Sequence, residues 1–226
     1  MLKEHTTSVT TTLPVATSRR HATAFHMESG DPICVFVEPR RAYNEMQRFD
    51  PAGDYNASKD MSKWFCKEVE SLIGFAEQLA PQTRPLVFPL PEALISAVHF
   101  AAIADEMIAV SYLCPQELSF EIADATIVNH TQDAYAMIQA FRRRGFRVSV
   151  DARKCWQSTL PPHTWLMIDT LRIDQVSLPF DDKLEDYIET ATNAGVSIIA
   201  DRPAWRESYY LDTFGIHYGV DPKSDA

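Results

Sequence analysis

The stretch Gly145–Asp174, GFRVSVDARKCWQSTLPPHTWLMIDTLRID, decides how this chain is read. It holds two short apolar runs, Phe146–Asp151 and Ile168–Asp174, each ending on an acid. The connection between them is long enough to cross over to a parallel neighbour. In a parallel α/β protein the carboxyl ends of the strands are where chemistry is placed, because the loops converge there. Asp151, followed by Ala152, therefore stands where a working site would be.

The flanking segments repeat the alternation. Upstream, Asp133–Arg144 reads as an amphipathic helix with Ala134, Tyr135, Met137, Ile138 and Phe141 inward. Its Arg142-Arg143-Arg144 run before Gly145 suits a helix C-terminus, where cations meet the dipole and glycine supplies the left-handed cap. Leu118–Ile122 (LSFEI) is a strand that carries Glu121 near its end. Glu92–Val110 reads as one apolar helix with His99 packed into the core. Pro85–Leu90 and Ile33–Glu38 (ICVFVE) are buried strands, and Ser62–Leu79 is a helix capped by Ser62. Arg41–Lys59 reads as a loop or broken helix, and the Thr- and Ser-rich Met1–Thr23 as a disordered tail. Downstream come the helix Lys183–Ala194, the strand Val196–Ala200 with Asp201 after it, and a short helix over Ser208–Phe214. A last strand over Ile216–Val220 precedes a polar tail at residues 223–226.

This is strand–helix alternation without a hairpin signal, the pattern of a doubly wound sheet or a closed barrel. Acids after several strands (Glu38, Glu121, Asp151 and Asp201) favour the barrel, where many strand ends meet at one point. The expected architecture is a single α/β domain over residues 24–222, a TIM-like (β/α) barrel, behind a disordered N-terminal tail at 1–23.

Composition narrows the function classes. The 226 residues are 46% hydrophobic and 23% charged, ordinary globular values. A net charge of −10 argues against tracking a nucleic-acid backbone. Cys34, Cys66, Cys114 and Cys155 are scattered, with no C-x-x-C pair and no His at ligand spacing, so buried reduced thiols are expected rather than zinc or disulfides. No apolar run approaches the ~18 residues of a membrane span, and no signal-peptide core is present. The expectation is a cytoplasmic protein.

In order and spacing, these strand ends resemble a degenerate EAL domain, the bacterial cyclic di-GMP phosphodiesterase family. LSFEIADA at 118–125 is similar to the family's L-x-L-E-I-T-E-S, and FRVSVDARKCW to the segment that usually reads I-x-L-D-D-F-G-T-G. LRID resembles L-K-I-D, with Arg172 placed 21 residues after Asp151, as the family's lysine follows its first aspartate. GVSIIADRPAW resembles G-I-x-V-I-A-E-G-V-E-T; ICVFVEPRRAY stands where the E-A-L signature belongs, and PLVFPLP where the family has L-S-V-N-L-S. The resemblance covers the chain from about Phe25 onward and implies a TIM-like barrel with one atypical strand.

Working members hold two divalent ions, usually Mg²⁺ or Mn²⁺, that polarise the phosphodiester and activate a water. Carried over position by position, the resemblance matches Glu38, Glu121 and Asp151 to three metal-binding carboxylates. It puts Phe88 at the asparagine ligand and Ala152 at the second aspartate, both without a coordinating oxygen. Arg172 replaces the lysine, Asp201 the glutamate proposed as general base, Ala204 the second glutamate of that motif, and Arg153-Lys154-Cys155-Trp156 the loop F-G-T-G. The phosphate-gripping arginine of the signature falls on Ala42, with Arg40 and Arg41 one or two residues early as candidate ligand-binding residues. Too few ligands remain for two ions, so Mg²⁺ or Mn²⁺ binding and phosphodiesterase activity are expected to be lost. Glu38, Glu121 and Asp151 then converge without a cation, which should raise the pKa of at least one, with Arg172 forked onto Asp151 or Glu121.

The functional expectation is an inactive EAL-like protein that regulates an unidentified bacterial partner protein, in motility, surface attachment or transcription control. Trp156, Trp165, Trp205, Tyr209 and Tyr210 are candidate partner anchors or packing beneath the barrel mouth. The alternatives are a non-hydrolysing cyclic di-GMP receptor and a weak phosphodiesterase. No nucleic acid or membrane partner is expected.

Overall fold

Hydrogen-bonded strands follow one another in chain order and close on themselves in a computed structural model that describes residues 19–39, 56–201 and 208–220. The strands are β1 (His21–His26), β2 (Pro32–Val37), β3 (Leu86–Pro89), β4 (Leu118–Ala123), β5 (Arg147–Asp151), β6 (Thr170–Asp174), β7 (Ser197–Asp201) and β8 (Tyr218–Val220). From β2 to β8 every neighbouring pair is parallel. The expected (β/α) barrel is the fold found.

β1 is the atypical strand. It runs antiparallel to both β2 and β8 and fills the gap that would otherwise leave two open edges. It joins β2 through a turn in which His26 N–H donates to Asp31 O at 2.8 Å and Gly30 takes a left-handed φ of 75°. This corrects two expectations: the chain does contain a hairpin, and His21–Thr23 belong to the barrel rather than to a tail. HATAFH buries only Ala24, so it carries almost no apolar signal of its own. Arg19 is also buried, paired with Glu68 and donating to Ser71 Oγ at 3.1 Å.

Helices α1 (Asn56–Ala76), α2 (His99–Ala109), α3 (Asp124–Asn129), α4 (Thr131–Arg142), α5 (Pro162–Trp165), α6 (Asp182–Asn193) and α7 (Ser208–Thr213) follow strands in turn. α1 begins six residues before Ser62, so Ser62 lies inside the helix and does not cap it. The single helix expected over Glu92–Val110 is broken: Pro91 opens a 3₁₀ turn at Glu92–Leu94, and α2 starts only at His99. His99 is exposed at that start, against Phe100, and is not a core histidine. Of the four cysteines, all free, Cys34 alone is buried. Gly145, at φ 83°, ends the turn after α4 as its arginine run suggested.

Alternation along each strand divides the core in two. Outward positions pack against the helices: Phe120 stacks on Phe141 with centroids 4.0 Å apart, and above the strands Phe65 of α1 meets Phe100 of α2 at 4.8 Å. Such ring pairs add about 0.5–1.5 kcal/mol each beyond area burial. Inward positions are fewer and smaller (Ala24, Cys34, Phe36, Val87, Ile199 and Val220). The lower interior is polar and self-satisfied, with Ser149 Oγ 2.8 Å from Ser119 Oγ and 2.5 Å from Thr170 Oγ1. One step higher on the same rows, at period two, come Glu121, Asp151 and Arg172.

Candidate functional site

Five charged side chains meet at the carboxyl ends of β4 to β7. Asp151 and Arg172 are register partners on β5 and β6, and Asp201 ends β7. Glu121 sits deeper on β4, 4% exposed. The fifth member is Arg153, two residues beyond the end of β5.

Arg153 turns back onto its own strand end. Its Nε donates to Asp151 Oδ1 at 2.8 Å, its Nη2 to Asp151 Oδ2 at 2.8 Å, and its backbone N–H to Oδ1 at 3.1 Å. Its Nη1 reaches Asp201 Oδ2 at 3.0 Å, so one guanidinium bridges two strand ends. Asp201 takes a second fork from Arg172, Nε to Oδ1 at 2.6 Å and Nη2 to Oδ2 at 3.1 Å. Arg172 also lies over the Phe36 ring, 4.0 Å from its centroid, which holds the guanidinium inside the barrel by stacking.

These contacts set the titration of the cluster. Burial alone would raise Asp151, but the hydrogen bonds and charge of Arg153 outweigh it and hold the carboxyl below its ordinary range. Arg153 is raised in turn, chiefly by its hydrogen bonds to Asp151. Glu121 has no such partner: its Oε1 is buried and unbonded, and burial above all pushes its pKa up to about 7. Cys34 beside it is pushed up to about 12, again mainly by burial. One carboxyl of the group is thus raised, as the converging acids suggested, with desolvation as the larger cause.

The expected site residues divide accordingly. Glu121, Asp151, Arg172 and Asp201 are brought together. Glu38 is not: it is exposed past the end of β2, its backbone N–H bonded to Arg20 O at 3.0 Å. Phe88 does not point at the site either. It faces the helices, against Trp64 and Phe120, and the interior position in register with Glu121 is Pro89. The row still offers no side-chain oxygen, now because of Pro89. Ala152 is fully buried. Arg172 forks onto Asp201, not onto Asp151 or Glu121 as expected, because Arg153 has already taken Asp151. Arg40, Arg41, Ala42, Ala204 and Trp205 lie outside the described residues.

The sequence reading missed two residues. The resemblance places Arg153 only within the loop that replaces F-G-T-G, although a cation two residues after Asp151 is within reach of that acid. Asp124, fully buried at the start of α3, was not considered. It accepts from Gln157 N–H at 2.9 Å, Ser158 N–H at 3.2 Å and Tyr187 OH at 2.5 Å, and from the Ser158 hydroxyl. It therefore pins the loop that carries Arg153 to the barrel.

The pair of divalent ions that the resemblance implies does not fit these residues. Both oxygens of Asp151 and both of Asp201 accept from guanidinium groups, and Glu38 is turned to solvent. A two-ion site needs several free oxygens converging on each ion. What the arrangement does chemically is neutralise two strand-end acids with two fixed internal cations.

No family model matches the chain, and no curated protein matches it. Its fold is nonetheless shared with solved structures. The EAL enzyme Bd1971 in its cyclic AMP and cyclic di-GMP bound form is 14% identical at TM-score 0.65, over 90% of this chain and 60% of its own. The PaMucR phosphodiesterase in complex with cyclic di-GMP is 11% identical at TM-score 0.67, over 90% and 88%. The S helix–GGDEF–EAL portion of Vibrio cholerae LapD, bound to cyclic di-GMP, is 18% identical at TM-score 0.69, over 92% and 53%. The chain thus spans 60% of the first and about half of the third. Identities this low speak for architecture, and the architecture of this chain is that of an EAL domain.

Proposed function

We propose that this protein is a catalytically inactive EAL-like regulatory protein that acts through protein–protein contact in bacterial cyclic di-GMP-linked signalling. The observation that carries the reading is the engagement of all four oxygens of Asp151 and Asp201 by Arg153 and Arg172. Metal-assisted hydrolysis needs those oxygens on a cation that also holds the phosphate and activates a water. Guanidinium groups supply charge but have no open coordination position, and they do not lower the pKa of a bound water as a divalent ion does. A protein that keeps the fold without the chemistry has its surface left to work with. Tyr209 on α7 is 82% exposed, whereas Trp165 is buried against Tyr187 and Trp156 is half-buried. Tyr210 beside it is 38% exposed, so among the described aromatic candidates these two tyrosines of α7 are open to a partner.

A second reading, a cyclic di-GMP receptor that binds without cutting, draws support from the three fold relatives solved with that nucleotide. One experiment separates the readings: titration with cyclic di-GMP, with and without Mg²⁺ or Mn²⁺, followed by product analysis. The expected result is neither binding nor turnover. Binding without product selects the receptor, and a linear dinucleotide product overturns the proposal.

A further inference from the structure

We infer that a cavity at the base of the barrel, at the end opposite the charged mouth, is a docking pocket for an arginine side chain on an exposed segment of a partner protein. The pocket rests on the reading of this chain as an interaction protein, and supplies that reading with a surface and a partner chemistry.

The antiparallel strand β1 sets the place. His26, its last residue, is in register with Tyr218, the first of β8, whereas Asp201 at the mouth is in register with Val220, the last. Met27 N–H donates to His217 O at 2.8 Å and extends the pairing one step past the strands. The turn after β1 and the end of α7 then border a cavity of about 350 Å³. His26 is committed to holding that turn: its Nδ1 accepts from the N–H groups of Glu28 and Ser29, each at 3.3 Å. Its ring lies nearly parallel to that of His217, with centroids 6.2 Å apart. The two walls are therefore fixed before anything binds, which lowers the ordering cost of binding.

Three features of the lining say what fits. It carries two carboxylates, Glu28 and Asp212, and no lysine or arginine. Asp212 gives Oδ1 to His217 Nδ1 at 3.0 Å and keeps Oδ2, while the Glu28 carboxylate has no partner among the described residues. A carboxylate only accepts, so His217 carries its proton on Nδ1, and its neutral ring adds Nε2 as a further acceptor. The second feature is Tyr209, 82% exposed at the rim, which offers an open aromatic face. The third is an apolar wall of Met27 and the buried Ile216. Arginine answers all three at once. Its planar fork donates to carboxylates, its flat face stacks on tyrosine, and its methylenes lie along apolar surface. The net charge of −10 draws a basic segment toward the chain over a longer range.

The test is a titration of the full chain with a blocked Leu-Arg-Leu tripeptide, following the ring protons of His26 and His217 by NMR. Both rings should shift saturably, and should not shift when citrulline, the neutral isostere, replaces arginine. Glu28→Gln combined with Asp212→Asn, both at exposed positions, should weaken binding about tenfold or more. Argininamide alone should bind more weakly than the tripeptide, because only the peptide brings apolar groups to Tyr209. Unshifted rings, equal binding of the citrulline peptide, or unchanged affinity in the double variant overturns the docking pocket. Equal affinity for argininamide also overturns it, since the pocket then serves a small cation. So does self-association of the free chain that Tyr209→Ser abolishes, since the occupant is then a second copy. Each of these failures leaves the inactive reading standing, whereas hydrolysis of cyclic di-GMP by the wild-type chain overturns that reading and not the pocket.

Discussion

The barrel mouth and the Asp124 clamp are two solutions to one problem, a carboxylate withdrawn largely or wholly from water. At the mouth, Asp151 and Asp201 are answered by charge, with forks from Arg153 and Arg172. Immediately past the end of β4, Asp124 is fully buried and answered by neutral donors: two backbone N–H groups and two hydroxyls. The difference lies in what holds each acid. The forks at the mouth come from side chains, which a single substitution removes. Backbone N–H groups have no substitute, so the clamp is a fixed joint. Glu121, with neither kind of partner, shows what an unanswered acid does: it holds its proton up to about pH 7.

The largest effect should therefore come from the clamp, not from the charged cluster. Asp124→Ala leaves Gln157 N–H and Ser158 N–H without an acceptor, and frees two hydroxyls to bond only each other at 2.7 Å. Ser158 N–H, in a buried residue, costs about 1–3 kcal/mol when left unsatisfied, and the part-buried Gln157 N–H and the two hydroxyls add to it, so the expected loss is about 3–5 kcal/mol in urea unfolding. A loss below about 1 kcal/mol would break the comparison, since the loop would then be held by something other than Asp124.

Glu121 sharpens it from the other side. Its folded value of about 7 lies above its ordinary 4.5, so the folded state binds the proton more tightly than the unfolded chain. That stabilisation is fully present below pH 4.5 and is lost as pH rises through 7, a decline on the order of 3 kcal/mol. Asp151 works the opposite way. Its lowered pKa gives stability that is present above its ordinary 3.8 and lost only as pH falls below that, outside the Glu121 window. Glu121→Gln cannot ionise and should unfold with a flatter pH dependence between 4.5 and 7, and be more stable than wild type at pH 8. If the variant keeps the wild-type slope, the decline belongs to another group.

The barrel was legible because its evidence is periodic. Apolar runs such as VSIIA and FRVSV alternate with amphipathic helices, and strand-end acids at Glu121, Asp151 and Asp201 needed only a common mouth. What was not legible depended on a single residue of register or on a contact distant in sequence. PLVFPLP is apolar at every position, so nothing in it tells Phe88 from Pro89, and a shift of one sends the side chain to the opposite face. β1 buries one alanine and exists because β2 and β8 need an edge closed. The partner of Arg172 is not legible because competition is invisible in a sequence: Arg153 occupies Asp151 and leaves Asp201 as the open acceptor. Asp124 meets Tyr187 across 63 positions, and no local pattern announces that pair.

The smallest effect isolates the hydroxyl part of the clamp. Tyr187 OH donates to Asp124 Oδ1 at 2.5 Å and lies 2.7 Å from Ser158 Oγ. Burial first, and then the Asp124 charge, raise its pKa, so it remains a protonated donor at any pH where the protein would be handled. Tyr187→Phe removes one donor but keeps the ring against Trp165, and Asp124 retains Gln157, Ser158 N–H and the Ser158 hydroxyl. The expected cost is about 1 kcal/mol by urea unfolding, a minor share of the Asp124→Ala loss. If Tyr187→Phe instead costs as much as Asp124→Ala, the phenol carries the joint and the backbone donors do not. The fixed joint would then be a side-chain pair like those at the mouth, and the contrast between the two carboxylate sites would fail.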